Sequence, residues 1–314
     1  MSRTAIHASL GVATESTVGT FVAPTRHIPI ISESLSREIE RIDSDAIRAG
    51  RYTRHSDDWS VGKSMVSGTI ETELYDRSIG TFLRHVGFSG GSTSGSGPYT
   101  TAMTPGSSAG LSMSVQVGRP DVSGTTRVFS YQGMKTAGVT VSCAAGERAM
   151  LSVDMIGLTE TTSESLTSVS YAASLVPFTW DQATISLQGA SNTTVSEIEI
   201  AITQPLDEDR LYLGSSTLKD PLPIGLLDIG ISGTAEFESL TFYNNYTAGT
   251  VASYSIAFSD GTYSLTFAGS ARMDAGTPTV GDRGIIRVPF ELTPVASSDA
   301  SAMTITVVSA DTTP

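Results

Sequence analysis

The 314-residue chain has few cysteines, few charges and no long apolar runs, and each shortage excludes a class of protein. Cys143 is the single cysteine, so no intramolecular disulfide can form, and its alternating Val/Thr/Ser setting predicts a packed structural thiol. No segment approaches the roughly 20 apolar residues of a spanning helix, which argues against an integral membrane protein. The N-terminus has no apolar signal core, so we expect assembly in a cytoplasm.

Basic residues are also scarce, because 19 Lys and Arg face 32 Asp and Glu, giving a formal net charge of −13. This balance argues against a dominant phosphate-binding surface. Charged residues are only 16% of the chain, whereas Thr, Ser, Gly and Val are abundant. That composition is typical of an all-β protein with many short strands and turns. The acids indicate solubility in the simplest interpretation, and they would repel nucleic acid if they lined a channel.

Two segments recur in the same order at nearly one spacing. Residues 43–50 (DSDAIRAG) match residues 207–214 (DEDRLYLG) at an offset of 164, and residues 66–73 (VSGTIETE) match residues 231–238 (ISGTAEFE) at an offset of 165. Two matches at a common offset predict a duplicated module. We therefore expect a first domain over residues 1–175 and a second over residues 176–314.

Each copy of the second segment alternates as a strand with one polar face, and that face carries two glutamates. The polar faces consist of Ser67, Thr69, Glu71 and Glu73 in the first copy and of Ser232, Thr234, Glu236 and Glu238 in the second. A third strand pattern alternates Ile198, Ile200 and Ile202 with Glu197 and Glu199.

The remaining secondary structure is predicted from apolar spacing and from Gly and Pro. An amphipathic helix of about three turns is expected from Tyr75 to Val86 with Gly87 as its stop, and a shorter helical turn at 242–246. Residues 1–29 are expected to be irregular, and residues 89–110 to form a long flexible loop. Asp260-Gly261 signals a hairpin. A paired or interface-facing strand is predicted within 30–47. Further strands are predicted at 111–117, 126–131, 138–143, 149–156, 184–187, 198–203, 253–258, 264–268, 285–292 and 303–308.

Sequence matches to catalytic and ligand-binding motifs lack the neighbouring residues that those motifs require. The Gly62-Lys63-Ser64 triplet lacks the glycine five positions earlier that a phosphate-binding loop requires. Two Gly-x-Ser-x-Gly matches lie in Ser/Gly-rich sequence without the strand and helix that would expose a nucleophile. The four histidines have no ligand spacing to one another, to Cys143 or to a carboxylate pair. The sequence therefore predicts no catalytic residue, no metal site and no cofactor.

Several short segments in order resemble a known family. They are residues 10–20 (LGVATESTVGT), 24–30 (PTRHIPI), 32–35 (SESL), 47–51 (IRAGR) and 66–69 (VSGT). Together they resemble the tail tube proteins, or major tail proteins, of long-tailed bacteriophages. The likeness is strongest over residues 8–88, and the second half shares the Ser-Gly-Thr-Glu copy and the strand pattern.

The resemblance implies a structural virion protein with two tandem β-sandwich or barrel modules, which joins its neighbours into a continuous ring barrel. Stacked rings would form the hollow tail tube around a tape-measure protein, end at tail terminator and distal tail proteins, and let double-stranded DNA pass without membrane insertion. The resemblance also implies terminal arms and a long loop that bridge rings. Here the expected arm is 1–29, the loop is 89–110 and the tail is 309–314, with Leu10, Glu15, Gly19, Phe21, Ser96 and Tyr99 as contact residues.

Symmetry and channel lining follow from the repeat together with the resemblance. Two modules per chain allow three chains to form a pseudo-sixfold ring, which we favour because both copies keep a two-glutamate face. The expected channel residues are Glu71, Glu73, Glu236 and Glu238, followed by Glu197 and Glu199. Alternatives are a six-chain ring with the second module as decoration, and an acidic β-sandwich adhesin or glycan-binding module. The last would need Trp59, Trp180, Tyr243 and Tyr246 to cluster on one surface.

Overall fold

The structure is a computed structural model that describes residues 4–91, 93–281, 283–295 and 297–313. Strands account for 49% of the chain and helices for 8%, and the strand pairs are antiparallel, so the predicted all-β class is confirmed. Short 3-10 turns occur at Ala5–His7 and Trp180–Gln182.

The strands and helices are numbered in chain order. The first half contains β1 (Ser9–Thr14), β2 (Arg26–Ile28), β3 (Ser32–Glu33), β4 (Ser36–Asp43), β5 (Trp59–Glu73), α1 (Ile79–Val86), β6 (Phe88–Ser89), β7 (Tyr99–Pro105), β8 (Met113–Pro120), β9 (Thr126–Ala144), β10 (Met150–Gly157) and β11 (Thr159–Thr161). The second half contains β12 (Ala183–Leu187), β13 (Ala190–Asn192), β14 (Val195–Thr203), β15 (Asp228–Glu236), α2 (Thr241–Ala248), β16 (Val251–Ser259), β17 (Ser264–Ala275), β18 (Arg287–Pro294), α3 (Asp299–Ala302) and β19 (Thr304–Ser309).

The two halves repeat one strand order. In the first half the neighbours run β4, β5, β10, β9, β8, β1, β2. In the second half they run β14, β15, β18, β17, β16, β12, β13. Each half also places a helix directly after its second listed strand, α1 after β5 and α2 after β15. The repeated segments therefore occupy equivalent places, and the boundary between residues 175 and 176 stays a prediction.

The glycines of the two Ser-Gly-Thr segments, Gly68 and Gly233, are required for the same reason, which is close approach of a neighbouring backbone. A Cβ on Gly68 would lie 2.6 Å from the carbonyl oxygen of Ser34, and a Cβ on Gly233 would lie 2.4 Å from the carbonyl oxygen of Glu197. Contacts this short do not occur for real side chains, so each position requires glycine. Ser34 and Glu197 are 163 residues apart, and Gly68 and Gly233 are 165 residues apart. The equivalence of the two halves therefore extends from β5 and β15 to β4 and β14.

Strand β9 joins the halves, so that eight neighbouring strands run continuously within the larger sheet. Its C-terminal part pairs with β10 on one edge and with β14 on the other, through seven residue pairs from Glu197 opposite Ala144 to Thr203 opposite Gly138. The resulting order is β4, β5, β10, β9, β14, β15, β18, β17, with four strands from each half. We call this the wall sheet.

One face of the wall sheet is apolar and buried, as the alternating pattern predicted. Ile70, Val153, Val141, Ile200 and Ile231 are at most 1% exposed, and one hydrophobic cluster runs through both halves. Burying each of these side chains contributes on the order of 1.5–3 kcal/mol. This face fixes the register, because a one-residue slip would turn every buried side chain toward solvent.

Helix α1 covers the apolar face in the first half, and its prediction is confirmed in place but not in length. Phe82, Leu83 and Val86 are at most 1% exposed, and Gly87 ends the helix with a φ of 123° that favours glycine. The eight residues make about two turns rather than three. Helix α2 has the same length but buries none of its residues.

His85 makes the stability of α1 sensitive to acid. Its Nδ1 lies 2.7 Å from the Thr81 carbonyl oxygen and its Nε2 lies 3.2 Å from that of Ser112. Burial lowers the pKa of His85 below its ordinary 6.5, and it outweighs the two carbonyl contacts, which favour the charged ring. The unfolded chain therefore binds this proton at a higher pH than the folded chain does.

We expect the free energy of unfolding to fall as the pH drops below 6.5 through the folded pKa of His85. Urea midpoints at pH 7.5 and 5.5 measure this change, above the range in which most carboxylates titrate. His85→Gln should reduce the pH dependence of the free energy of unfolding. Part of the dependence should persist because burial also lowers the pKa of His27. Identical pH dependence in the parent and the variant would contradict this role of His85.

Three sequence expectations for local structure are wrong. The described part of residues 1–29, which begins at Thr4, is not irregular, because it contains β1 and β2, which pair with each other, and β1 also pairs with β8. Residues 89–110 are not one long loop, because β7 pairs with the C-terminal strand β19. The separate strands expected at 126–131 and 138–143 are parts of the single strand β9. The other predicted strands and the hairpin at Asp260-Gly261, between β16 and β17, are confirmed.

Candidate assembly and channel surfaces

The second face of the wall sheet is polar, and we call it the polar face. One cross-strand row passes through Glu73, Met150, Ser142, Glu199, Ser232 and Glu291. The next positions along these strands add the exposed side chains of Glu71, Glu197 and Glu236. Five of the six glutamates expected to line a channel therefore lie on one face, where the alternation of β5, β14 and β15 brings them together.

The sixth expected glutamate departs from this arrangement. The offset of 165 makes Glu71 equivalent to Glu236 and Glu73 equivalent to Glu238. Glu73 lies within β5, but β15 ends at Glu236, so Glu238 is exposed two residues beyond the strand. The two halves match at the first glutamate and differ at the second.

Hydrogen bonds and ion pairs hold several acids of the polar face in place. The Glu73 carboxylate lies 2.5 Å from the Arg148 guanidinium and accepts a 2.9 Å bond from the Tyr75 hydroxyl. Burial of the Tyr75 hydroxyl, and to a smaller extent its hydrogen bond to Glu73, raises the pKa of Tyr75 to about 12. The phenol therefore stays protonated and acts as the donor. Thr234 donates to Glu197 at 2.6 Å. Glu71 and Glu199 are exposed and add two further carboxyl groups to this face.

One end of the wall sheet is an open strand edge. In the part of the chain that the structure describes, β4 pairs with β5 and no strand pairs with its other edge. All eight residues of β4 are exposed. Its equivalent β14 pairs on both edges, and the Ile198, Ile200 and Ile202 side chains of β14 are at most 5% exposed. The edge of β4 that corresponds to the β9 contact of β14 has no partner strand.

The opposite end of the wall sheet is shorter than its equivalent in the first half. Strand β9 runs for 19 residues and receives β14 along Gly138–Ala144, whereas β17 runs for 12 residues and ends at Ala275. Residues 276–281 follow outside any strand, and Thr277, Thr279 and Val280 are exposed. Ala275 lies opposite Glu291 on the polar face, so alternation places 277 and 279 on that face when the strand is extended.

A family model described as phage tail tube protein matches residues 6–294. The chain belongs to the phage tail tube protein family. It is thus a structural component of a bacteriophage virion, a major tail protein, and the resemblance found in the sequence is confirmed. No curated protein matches the chain. Among the described residues, no helix is both long and apolar enough to cross a membrane, and no three His, Cys, Asp or Glu side chains are grouped to hold a metal ion.

Glu15 of the tail tube protein, expected in an inter-ring arm, is a buried acceptor within its own subunit. It is 6% exposed, and its two carboxylate oxygens accept bonds from the Gly19 and Gly133 amides at 2.8 and 2.9 Å. The Ser112 and Ser114 hydroxyls donate to it at 2.6 and 2.8 Å. This carboxylate holds the segment after β1 against β8 and β9.

The other residues expected to bridge rings range from fully buried to exposed. Leu10 is fully buried in β1, while Gly19 and Phe21 are partly exposed. Ser96 is exposed, and partly exposed Tyr99 begins β7 opposite Ser309 of β19. At the C-terminus, the Ser78 amide donates to the Asp311 carboxylate at 2.8 Å, and Pro314 lies outside the described residues. Inter-ring contact by these residues stays a prediction, with Ser96 the most accessible of them.

The two tryptophans that an adhesin would need on one surface lie far apart. Trp59 begins β5, and Trp180 lies beside Arg148 and Glu147 near the other end of that strand. The 15 residues of β5 separate the two by about 45 Å. The structure therefore does not favour the alternative of a glycan-binding module.

The sequence predicted a strand within 30–47 and another over 66–73, but it did not predict that these strands pair as a hairpin or that loop 44–58 joins them. The hairpin and its loop expose Ile42, Ile47, Tyr52 and Val61, and Arg41 covers the Trp59 ring at 5.2 Å. Arg48 and Arg51 pair with Asp57 and Asp58 inside the loop. A cluster of large exposed apolar side chains between strands was the available signal, because such groups mark interaction surfaces.

Proposed function

We propose that three copies of this tail tube protein form a ring in which the wall sheets join end to end into one barrel. The β9–β14 junction inside the chain supports this proposal, because it is a complete example of the contact that the ring needs. Strand β4 is equivalent to β14, and the end of β17 with residues 276–281 is equivalent to the part of β9 that receives β14. Repeating the junction between chains would cover both open edges.

The equivalence also gives the register of the contact between chains. In the internal junction Ala201 of β14 lies opposite Thr140 of β9. Glu38 is equivalent to Ala201 and Thr279 is equivalent to Thr140, so Glu38 of one chain would lie opposite Thr279 of the next. Pro278 has no N–H, so this ladder has at least one hydrogen bond fewer than the internal junction. The same proline limits uncontrolled pairing of the edge before assembly.

Strand spacing supports three chains rather than six when all eight wall strands line the channel. Twenty-four strands at about 4.8 Å give a circumference of about 115 Å and a backbone diameter of about 37 Å, before strand tilt enlarges it. Six chains would double both values. The smaller channel suits the passage of one DNA duplex, and the acidic polar face would line it and repel the phosphates.

Stacked rings would then form the tail tube that conducts DNA during ejection. The proposal places assembly in the host cytoplasm around a tape-measure protein, with tail terminator and distal tail proteins at the ends. DNA passes without sequence-specific contact, because the carboxylates of Glu71, Glu199 and Glu236 repel the phosphates and hold the duplex away from the wall. No insertion into a membrane is involved.

Disulfide trapping tests the ring contact. In a Cys143→Ser background, Glu38→Cys combined with Thr279→Cys should yield, on mild oxidation, covalent species that end at three chains. Each single-cysteine variant should give at most dimers and serves as a control. Species that end at six chains would support the six-chain ring, and no cross-linking in assembled tubes would reject the β4 contact.

Charge reversal tests the channel role of the polar face. Glu71, Glu197, Glu199 and Glu236 changed together to Lys should leave rings intact, because these side chains are exposed, and should make assembled tubes retain linear duplex DNA. Binding should weaken steeply as salt rises, since each lysine that meets a phosphate releases counterions. The matched Gln variant should bind far less DNA. Equal DNA retention by the Lys and Gln tubes, with normal ejection, would contradict the channel role.

A further inference from the structure

The second half has an open groove that its equivalent in the first half does not have. The groove has a volume of about 670 Å³ and lies where β15 begins and β18 ends. Its lining includes Leu226, Asp228, Ile229, Thr293, Pro294 and Asp299. Leu226 is 92% exposed, and Asp228 and Asp299 place carboxylates at the groove.

In the first half, a loop from the second half fills the equivalent place. The Ser64 amide of β5 donates to the Ser216 carbonyl at 2.8 Å, and the Leu218 amide donates to the Ser64 carbonyl at 3.2 Å. Leu218 is 2% exposed and packs with Ile156 at the end of β10. The offset of 165 makes Ser64 equivalent to Ile229, so this filled site corresponds to the open groove.

A buried ion pair fixes the same loop to the first half. Lys135 of β9 is 2% exposed, and its Nζ lies 2.7 Å from the Asp220 carboxylate of the loop. A buried pair of this kind specifies one docking geometry, because separating the charges would leave Lys135 uncompensated. The loop that follows β14 is thus part of the internal junction between the halves.

Loop 44–58 is the equivalent of that loop, and no described residue of its own chain covers its apolar side chains Ile47 and Tyr52. Both loops follow equivalent strands and carry the repeated acidic segment, at 43–50 and 207–214. Ile47 is 100% exposed and Tyr52 is 98% exposed. The offset of 164 makes Tyr52 equivalent to Ser216, the residue that pairs with Ser64.

The loop cannot reach the groove of its own chain. Five strand spacings separate β4 from β15 in the wall sheet, which is about 24 Å. In the ring proposed above, β4 lies instead beside the neighbour's β17, at the end of the sheet that holds the neighbour's groove.

We propose that loop 44–58 of one chain docks into the groove of the next chain in the same ring, with Tyr52 beside Asp228 and Ile229. The repeat supports this occupant, because the equivalent loop after β14 already fills the corresponding place beside Ser64 in the first half. The arginines of loop 44–58 are paired within the hairpin, so the exposed apolar side chains rather than charge favour the docking. The docking covers the exposed Ile47 and Tyr52 together with Leu226. It rests on the proposed ring and adds a second contact to each junction.

Cross-linking separates this docking from the ring itself. In the Cys143→Ser background, Tyr52→Cys with Asp228→Cys should convert most of the assembled protein into covalent species of three chains. The pair Glu38→Cys with Thr279→Cys reports the ring in parallel, and the single variants are controls. All four substituted positions are exposed, and unchanged thermal midpoints confirm that each variant folds.

Each other outcome overturns a defined part of the proposal. Ladders longer than three chains from the Tyr52 and Asp228 pair would show that the loop reaches a stacked ring, which rejects docking within a ring. No link from this pair while the Glu38 and Thr279 pair still links would reject the docking and leave the ring standing. No link from either pair in assembled tubes would reject both.

Discussion

The tail tube protein with Arg37→Pro is expected to remain a folded monomer at concentrations at which the parent chain forms rings. The Ser34 amide donates to the Thr69 carbonyl of β5, and alternation therefore turns the Arg37 amide toward the open edge of β4. Proline removes that donor from the contact between chains while leaving the β5 ladder in place. Loss of this ladder bond leaves a carbonyl of the next chain without its donor, which costs about 1–3 kcal/mol for each junction and therefore about 3–9 kcal/mol for a ring of three junctions.

Arg37→Ala is the matched control for this variant. Both substitutions remove the 2.9 Å bond from Arg37 Nε to the Ser64 hydroxyl, but only proline removes the backbone donor. Size-exclusion chromatography with light scattering, followed by microscopy of negatively stained samples, compares their assembly. Rings formed equally well by the Pro and Ala variants would reject the open edge of β4 as the assembly contact.

Glu15→Ala is expected to lower the free energy of unfolding of the monomer by about 3–5 kcal/mol. The substitution leaves the buried Gly133 amide and the partly exposed Gly19 amide without their carboxylate acceptor, and an unpaired buried donor costs roughly 1–3 kcal/mol. Loss of the Ser112 and Ser114 bonds and of packing adds to this. Such a change is a large fraction of the 5–15 kcal/mol that stabilises a typical domain.

Two further variants sharpen the measurement by urea unfolding. Glu15→Gln keeps one acceptor oxygen but places an amide donor against other donors, so an intermediate loss is expected. Thr14→Ala, at the exposed neighbouring position, should change stability little. A Glu15→Ala monomer as stable as the parent, together with shortened tubes, would restore Glu15 to the inter-ring arm and contradict its structural role.

Alternation and helical spacing were sufficient to predict most of the strands and α1, because these elements bury one face each. The segments that were mispredicted contain glycines that looked like interruptions but permit close packing. A Cβ on Gly11 would lie 2.6 Å from the Pro24 Cβ, so glycine keeps β1 against its neighbour. Gly133 similarly allows β9 to continue past the Leu158 side chain, with a φ of +66°. Strand β7 was missed because its partner β19 lies about 200 residues away in sequence.

The polar face was predictable from the sequence, whereas the sequence left open whether the strand within 30–47 pairs inside the chain or faces an interface. Glu71, Glu197, Glu199 and Glu236 follow from a period of two within single strands. The open edge of β4 depends on which strands pair, and its Arg, Glu and Ile residues do not distinguish an edge from a central strand. The same limit applies to Glu15, because a carboxylate beside Thr and Ser is typical of an exposed loop until β8 and β9 fold over it.

The number of chains in one ring tests the central claim most directly. Electron cryomicroscopy of tubes viewed end-on, with mass measurement of single rings, gives this number. Equivalent junctions within and between chains predict three chains of 32.8 kDa, a ring of 98.4 kDa, with strict threefold and approximate sixfold symmetry and 24 strands around the channel. A ring of six chains, or one in which only one half of each chain lines the channel, would contradict it.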